Sequence, residues 1–433
     1  MKRGLLGAVV ALAVVLAAAP IVAAFVFASF YTSETINAEI SKAYPQGAQM
    51  GFRAEVQSFE RGLFRSRATV AFGFVDPDSQ ATHIDDPIAL FEQEFSHYWS
   101  FAGEFPFVWL LSSNDTLRTT QQLSAEFDGV YLTGTAKYLP FVANQGHYET
   151  PSFAGILPPG TVFEPITIDA TQNELNDQIN IDLRWNHFSM QTGYDRTMIE
   201  GVRLYGYGTF PQRLDRPANY RVEIGKLSTT MGEGIAINNL RLETGNTPHK
   251  QLVDSALQIN ADEIAFDQLT LKKPSLVSQI VGQDIKTLER ITELTSGINA
   301  SRNPLGVMQD LMVEIIALFD QGAVFGMSIN LPFDDKPLIL TASATSNKNA
   351  SFDPNNLETW LNKFYIDANL TIDPDLLSDD YDLGFDNYKE SLLILQEEGV
   401  TREKDGLLFI NLHCEGSECL VNDELLETLL GIL

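Results

Sequence analysis

Basic residues are scarce in this chain, whose 433 residues include 29 Lys and Arg against 57 Asp and Glu, a formal net charge of −28. A nucleic-acid groove needs clustered Lys and Arg to neutralise phosphates, and the sequence has no such cluster. The scarcity therefore excludes a nucleic-acid-binding function. The acidic surplus is diffuse, and a surface of that kind keeps a protein soluble and repels anionic headgroups.

The common catalytic and cofactor motifs are also missing. The sequence has no Gly-x-Ser-x-Gly elbow, no Walker loop, no His-Glu-x-x-His pair and no GxGxxG turn ahead of a helix. The acidic stretch 373–386 lacks the Gly and Glu positions of an EF-hand loop, which favours a solvated loop. The sequence therefore predicts no catalytic residue, no cofactor and no metal site.

Cysteine is nearly absent, with only Cys414 and Cys419 in the whole chain. Two cysteines at short spacing across a Gly-containing turn are typical of a hairpin disulfide in an oxidising compartment. The alternative is a metal site with the neighbouring His413, but a structural site needs about four ligands. We predict the Cys414–Cys419 disulfide ahead of the metal.

Long apolar runs are absent except at the start, where Gly4–Phe30 carries no charge. Its 27 residues would reach about 40 Å as a helix, enough to cross a hydrocarbon core of about 30 Å. Lys2 and Arg3 precede it, so the positive-inside rule keeps that end in the cytoplasm. We predict a transmembrane anchor over residues 1–33 and a periplasmic body over 34–433, making a single-pass protein of the bacterial inner membrane. A cleaved signal peptide is the alternative.

Alternation of apolar and polar residues dominates the body. Ile179–Asn186 and Phe364–Ile372 place apolar residues on one face and polar residues on the other, and this pattern predicts half-buried, mostly antiparallel strands. Further runs of this kind are Val130–Tyr138, Tyr220–Ile224, Ile235–Glu243, Leu257–Leu271, Phe325–Leu331 and Leu408–Leu412. We predict an α+β, β-rich fold with extended amphipathic sheets that a few helices cover in part.

Helical patterns are fewer. Pro304 follows a capping Asn303 and Gly322 ends the run, which predicts a helix between them. A stripe from Val277 to Ile291 predicts a second helix just before it, so that a helical segment spans 275–322 behind a possible subdivision near residue 272. Further short helices are predicted over 35–44, over 385–398 and after a capping Asp423.

Three short elements of the chain form recognisable motifs. The first is Ser58–Ser66, an aromatic-x-Arg-Gly-x-x-x-Ser element, and the second is Asn238–Leu242. The third comprises Leu395–Gly399, Asp405-Gly406-Leu407 and Cys419–Asn422. Together they resemble the YdgA-like family of bacterial envelope proteins, whose domain has no known function. The family-motif residues are Arg61, Gly62, Ser66, Gly399, Gly406 and Asn422. The chain departs from the family in lacking its His-Gly-Pro element and in having Asp423 where Gly is favoured. The resemblance implies a membrane-anchored periplasmic protein without an established catalytic residue.

Three functions fit these observations. The first is a non-enzymatic binding module whose apolar strand face takes a lipid or another hydrophobic ligand. The second is a scaffold that holds an envelope protein through exposed sheet edges. The third is a periplasmic hydrolase of an envelope component, with His97 near Glu92, Glu94 or Glu104 as its candidate groups. The first two are preferred because no nucleophile stands in an activating context.

Overall fold

The structure is a computed structural model. It describes residues 52–60, 65–74, 84, 87–100, 108–120, 129–139, 143–153, 156–173, 177–209, 213–230, 234–266, 269–297, 304–353, 362–378, 392–394, 396–397, 399–416 and 418–425. The predicted anchor between Gly4 and Phe30 and the predicted helix over 35–44 lie outside these residues. Among the described residues, no helix is long and apolar enough to cross a membrane.

The chain divides into two compact units. Of the described residues, unit 1 takes those up to Pro158 together with Pro165–Leu183, and unit 2 takes Pro159–Glu164 and everything from Arg184 onward. The subdivision expected near residue 272 does not coincide with this boundary. Strand pairing runs across that position, because Leu252–Asn260 pairs with Ser275–Asp284 on its far side.

Unit 1 is an antiparallel meander in which each strand pairs with the next. Its strands are β1 (Phe52–Glu60), β2 (Arg65–Phe74), β3 (Ala89–Ser100), β4 (Val108–Thr119), β5 (Val130–Leu139), β6 (Ala143–Glu149) and β8 (Ile166–Asn173). One face of the meander is buried, as the 0–2 % exposure of Ala68, Val70 and Phe95 shows. The strict alternation of polar and apolar residues produces this face, because successive side chains leave a strand on opposite sides.

Unit 2 is likewise antiparallel. Its strands are β7 (Val162–Phe163), β9 (Gln178–Thr192, from Arg184 onward), β10 (Asp195–Thr209), β11 (Ala218–Thr229), β12 (Ile235–His249), β13 (Leu252–Asn260), β14 (Glu263–Phe266), β15 (Leu269–Lys272), β16 (Ser275–Asp284), β17 (Val324–Asn330), β18 (Leu338–Ser346), β19 (Phe364–Ile372), β20 (Arg402–Lys404), β21 (Leu407–Glu415), β22 (Glu418–Val421) and β23 (Glu424–Leu425). From β10 onward, nine strands pair in the order β10, β11, β12, β13, β16, β17, β18, β19 and β21. The β-rich, antiparallel prediction is confirmed.

Two sequence predictions in unit 2 are wrong in detail. The run Leu257–Leu271 is not one strand but parts of β13, β14 and β15. The predicted helical segment 275–322 is a strand over Ser275–Asp284, and helix begins only at Ile285. Val277 and Val281 lie four residues apart, a spacing that suits one face of a strand as well as one face of a helix.

Two helices connect β16 to β17. They are α1 (Ile285–Gly297) and α2 (Pro304–Asp320). The predicted start of α2 at Pro304 is confirmed, and its end is closed by Gly322, whose φ of +112° is a conformation that glycine adopts without strain. Residues 392–394 and 396–397 are helical, in keeping with the helix predicted over 385–398.

The largest buried cluster of unit 2 gathers at one end of its strands. It consists of Leu271, Phe333, Ile372, Leu376, Leu377 and Leu408, all at most 7 % exposed. Leu376 and Leu377 come from a short 3-10 helix, Pro374–Leu377, whose first turn is capped by the Asp373 carboxylate. Asp423 does not cap a helix as predicted, because it occupies a turn between β22 and β23.

Candidate functional site

A row of apolar side chains crosses one face of unit 2. Each pairs directly with the next across the nine strands from β10 to β21. This central apolar row consists of Leu204, Val222, Leu242, Ile259, Leu276, Ile329, Leu340, Leu370 and Ile410. All nine are half-buried. At about 4.8 Å between strands, the row is about 38 Å long.

Buried contacts close the same face at both ends of β19. Beside the row, Ile372 and Leu408 belong to the buried cluster under the 3-10 helix. At the opposite strand ends, Phe319 of α2 meets Phe364 of β19 edge-on, with ring centroids 5.1 Å apart. Lys363, which is 6 % exposed, anchors α2 there by donating to Asp320 at 3.1 Å. On β19, the half-buried central apolar row therefore lies between two buried ends.

The opposite face of the same strands, called the polar face, carries polar side chains on β10, β11 and β12. Arg221 donates to Glu243 from Nε at 3.0 Å and from Nη2 at 2.6 Å, and to the Tyr205 hydroxyl at 3.0 Å. Asn219 donates to the other oxygen of Glu243 at 2.9 Å, and the hydrogen bonds from Asn219 and Arg221 lower the pKa of Glu243. The central apolar row and these polar contacts therefore lie on opposite faces of the sheet.

The central apolar row can bind an extended hydrocarbon. Burying apolar area stabilises a complex by about 25 cal/mol per Å². The central apolar row offers this gain except near Ile410, which already packs against Val400 and Val421. The hydrocarbon depth of one bilayer leaflet is about 15 Å, half of the bilayer core. The central apolar row, about 38 Å long, is therefore longer than one acyl chain.

The predicted disulfide is confirmed. Cys414 of β21 and Cys419 of β22 are cross-strand partners joined by an S–S bond, with their Cα atoms 4.0 Å apart. His413 does not join them in a metal site, because its Nδ1 lies 2.7 Å from the Asp367 carboxylate on the neighbouring strand.

The family-motif residues that the structure describes lie mostly in turns. Gly399 and Gly406 have φ values of +75° and +80°, which favour glycine. Asn422 is 9 % exposed, and its side chain bonds to three backbone groups. Ser66 lies in β2 opposite Phe95, whereas Arg61 and Gly62 lie outside the described residues. Within unit 2, Asn422 lies close to Gly399, because its amide donates to the carbonyl of the next residue, Val400.

The candidate hydrolase groups are held in other contacts where the structure describes them. Glu92 pairs with Arg118 at 3.3 Å and Glu94 with Arg65 at 3.4 Å, both on exposed side chains. The backbone of His97 lies in β3 opposite Leu111, and Glu104 lies outside the described residues. Within the described ranges, no group of three His, Cys, Asp or Glu is placed to hold a metal ion.

Sequence reasoning missed a buried polar cluster in unit 1. Asp115 of β4, 2 % exposed, accepts hydrogen bonds from Gln93 at 3.2 Å and from the Tyr148 hydroxyl at 2.9 Å. Burial raises the pKa of Asp115, and these hydrogen bonds lower it in part. The sequence indicates this polar cluster only through the alternation of β4, which places Ser113 and Asp115 on the buried face.

No family model, curated protein or solved structure matches this chain. The YdgA-like resemblance therefore stays a prediction based on the short motifs around residues 58–66, 238–242 and 395–422.

Proposed function

We propose that this protein is a non-enzymatic binding module of the bacterial cell envelope, whose ligand is the acyl chain of a lipid. The central apolar row supports the proposal, since nine half-buried apolar side chains form one unbroken line across the strands of unit 2. A soluble protein rarely leaves a large apolar surface uncovered unless a partner or ligand covers it.

The proposed location in the cell envelope is based on the N-terminal segment. Gly4–Phe30 would anchor the protein in the inner membrane, with Lys2 and Arg3 on the cytoplasmic side. The body would then lie in the periplasm, where the Cys414–Cys419 disulfide is stable. The resemblance of the short motifs to the YdgA-like family supports this arrangement. The diffuse charge of −28 favours a lipid with a zwitterionic or neutral headgroup.

Photolabelling tests the proposal without any substitution. The full chain is reconstituted in nanodiscs that contain a phosphatidylcholine with a diazirine on its acyl chain, then irradiated and digested. We expect labels in peptides of β12, β13, β16 and β17 at positions of the central apolar row. Labels restricted to the N-terminal segment, or labels equally frequent on both faces of these strands, would refute the proposal.

A matched pair of variants on one strand sharpens the test. Leu276 belongs to the central apolar row, whereas its neighbour Val277, 36 % exposed, lies on the polar face. We expect Leu276→Gln to reduce labelling of unit 2 at least threefold and Val277→Gln to leave it unchanged. Equal labelling of both folded variants would contradict acyl binding. Chemical crosslinking to one envelope protein, together with no lipid label, would favour the scaffold function instead.

A further inference from the structure

A depression lies in the polar face of unit 2, opposite the central apolar row. One cross-strand row on that face runs through β10, β11, β12, β13 and β16, and its residues are Tyr207, Asn219, Gly245, Ala256 and Gln279. The two smallest, Gly245 and Ala256, are adjacent at the centre of the row, so the surface is lower there than at the larger side chains on either side. The resulting cavity has a volume of about 430 Å³.

The backbone requires glycine at the centre of this depression. A Cβ atom at Gly245 would lie 2.9 Å from the Ala218 carbonyl oxygen and 3.3 Å from the Asn219 amide nitrogen. Ala256, directly opposite on β13, is exposed and adds only a methyl group to the floor. A ligand can therefore approach the sheet backbone closely at this point.

Fixed carboxylates border the depression. Glu243 accepts hydrogen bonds from Asn219 and Arg221, which hold its pKa below the ordinary value. Asp254 accepts from the Gly282 backbone N–H at 2.8 Å and lies 3.2 Å from His249. No Lys or Arg is among the described residues that line the depression. Glu243 is already paired with Arg221, and Asp254 lies beside His249, so the lining offers no cation of its own to pair with an anionic ligand.

Amides and apolar groups complete the wall. Gln258 and Gln279 are exposed, and the amide of each can both donate and accept a hydrogen bond. Tyr207 and Val281 are 38 % and 40 % exposed and stand on the outer strands of the depression. A sugar ring combines the same features, since its hydroxyl groups need paired donors and acceptors and its C–H face packs on an aromatic ring.

We propose that this depression binds a neutral saccharide. The Tyr207 ring packs against one sugar face, the amides of Gln258 and Gln279 bind hydroxyl groups, and the carboxylates of Glu243 and Asp254 accept hydrogen bonds from further hydroxyl groups. The site lies on the other face of the sheet from the proposed lipid site. Its test is therefore independent of the acyl-binding proposal.

Calorimetric titration of the full chain tests the site. The protein is kept in a phosphocholine detergent, because a sugar-headed detergent would compete, and is titrated with N-acetylglucosamine trimer, cellotriose and maltotriose. We expect saturable binding of at least one neutral trisaccharide. Ala256→Tyr fills the depression and should weaken that binding at least tenfold, whereas Asn369→Tyr, at an exposed position elsewhere on the polar face, should not.

The role of the aromatic ring is tested at Tyr207. Tyr207→Ala should weaken binding at least fivefold, while Tyr207→Phe, which keeps the ring, should retain it. The absence of saturable binding to all three sugars would overturn the proposal. So would binding that Ala256→Tyr leaves unchanged, or tighter binding of a trisaccharide that contains glucuronate. Circular dichroism of each variant establishes that a loss of binding is not a loss of fold.

Discussion

The Tyr148 hydroxyl donates a 2.9 Å hydrogen bond to Asp115, a carboxylate that is 2 % exposed and lies two strands away in unit 1. The Tyr148 ring reaches that far because it lies flat over Gly134 and Gly146, where a Cβ atom would come within 2.2 Å and 2.6 Å of ring carbons. Gly134 of β5 and Gly146 of β6 therefore leave the space that the Tyr148 ring needs to reach the buried Asp115 carboxyl group.

This buried carboxylate should make the stability of the protein depend on pH. Burial raises the pKa of Asp115, so the folded chain binds this proton more tightly than the unfolded chain. The stabilisation is full below the unfolded pKa of about 3.9 and is lost as the pH rises through the folded pKa. Asp115→Asn should therefore gain stability relative to the wild type between acidic and neutral pH, as measured by urea unfolding at a series of pH values.

Asp115→Ala serves as the contrasting variant. It removes the acceptor of Gln93 and Tyr148. Gln93 is 8 % exposed, and a donor left buried without a partner costs about 1–3 kcal/mol. This loss should appear at every pH. Parallel stability curves of the wild type and Asp115→Asn across the whole pH range would show that Asp115 does not titrate differently on folding.

Gly134→Ala should destabilise unit 1. The added Cβ would lie 2.5 Å from the His147 carbonyl oxygen as well as against the Tyr148 ring, so backbone and ring must both move. Overpacking of this kind typically costs about 1–3 kcal/mol. Gly326→Ala is the control, because there the nearest atoms, at 3.4 Å and beyond, belong to the flexible Gln279 side chain. Thermal unfolding that ranks the two variants equally would contradict this explanation.

Local periodicity accounts for what the sequence could predict. Strands with a clear period of two, such as Ile179–Asn186 and Phe364–Ile372, lie within β9 and β19. The helix at Pro304 was also predictable from its Pro and from Gly322. The failure at Val277 and Val281 has a physical cause, since a four-residue spacing satisfies both a strand and a helix.

The register between distant strands could not be predicted from the sequence. The central apolar row joins Leu204 to Ile410 through eight pairings, and no local pattern specifies which residue of one strand faces which residue of the next. The same holds for Gly245 and Ala256, whose adjacency creates the polar depression. An apolar strand face was predictable, but the residues that meet on it were not.

Removing the disulfide should have a moderate effect on stability. Cys414 and Cys419 are five residues apart, and the chain-entropy estimate for so short a loop is about 2 kcal/mol. We expect the Cys414→Ala/Cys419→Ala variant to lose no more than that in urea unfolding, and to become insensitive to dithiothreitol. Two thiols that react with Ellman's reagent in the non-reduced wild type would contradict the disulfide.

Asn422 should matter more than its place in a hairpin turn suggests. Asn422 and Asp405 both open two-residue turns with positive φ, +48° and +55°, a conformation that glycine adopts readily. Only Asn422 is buried, with its amide donating to Val400 and Phe409 and accepting from the Asn411 N–H. Asn422→Gly keeps the turn but loses these three hydrogen bonds, at about 0.5–1.5 kcal/mol each.

Asp405→Gly is the matched control and should change the free energy of unfolding by less than about 0.5 kcal/mol, as exposed substitutions usually do. A difference between the two variants therefore measures the buried amide and not the turn. If Asn422→Gly proved as stable as Asp405→Gly, the closing segment from Gly399 to Asn422 would be held by strand pairing and by its disulfide alone. If it proved much less stable, the buried amide of Asn422 would account for the difference.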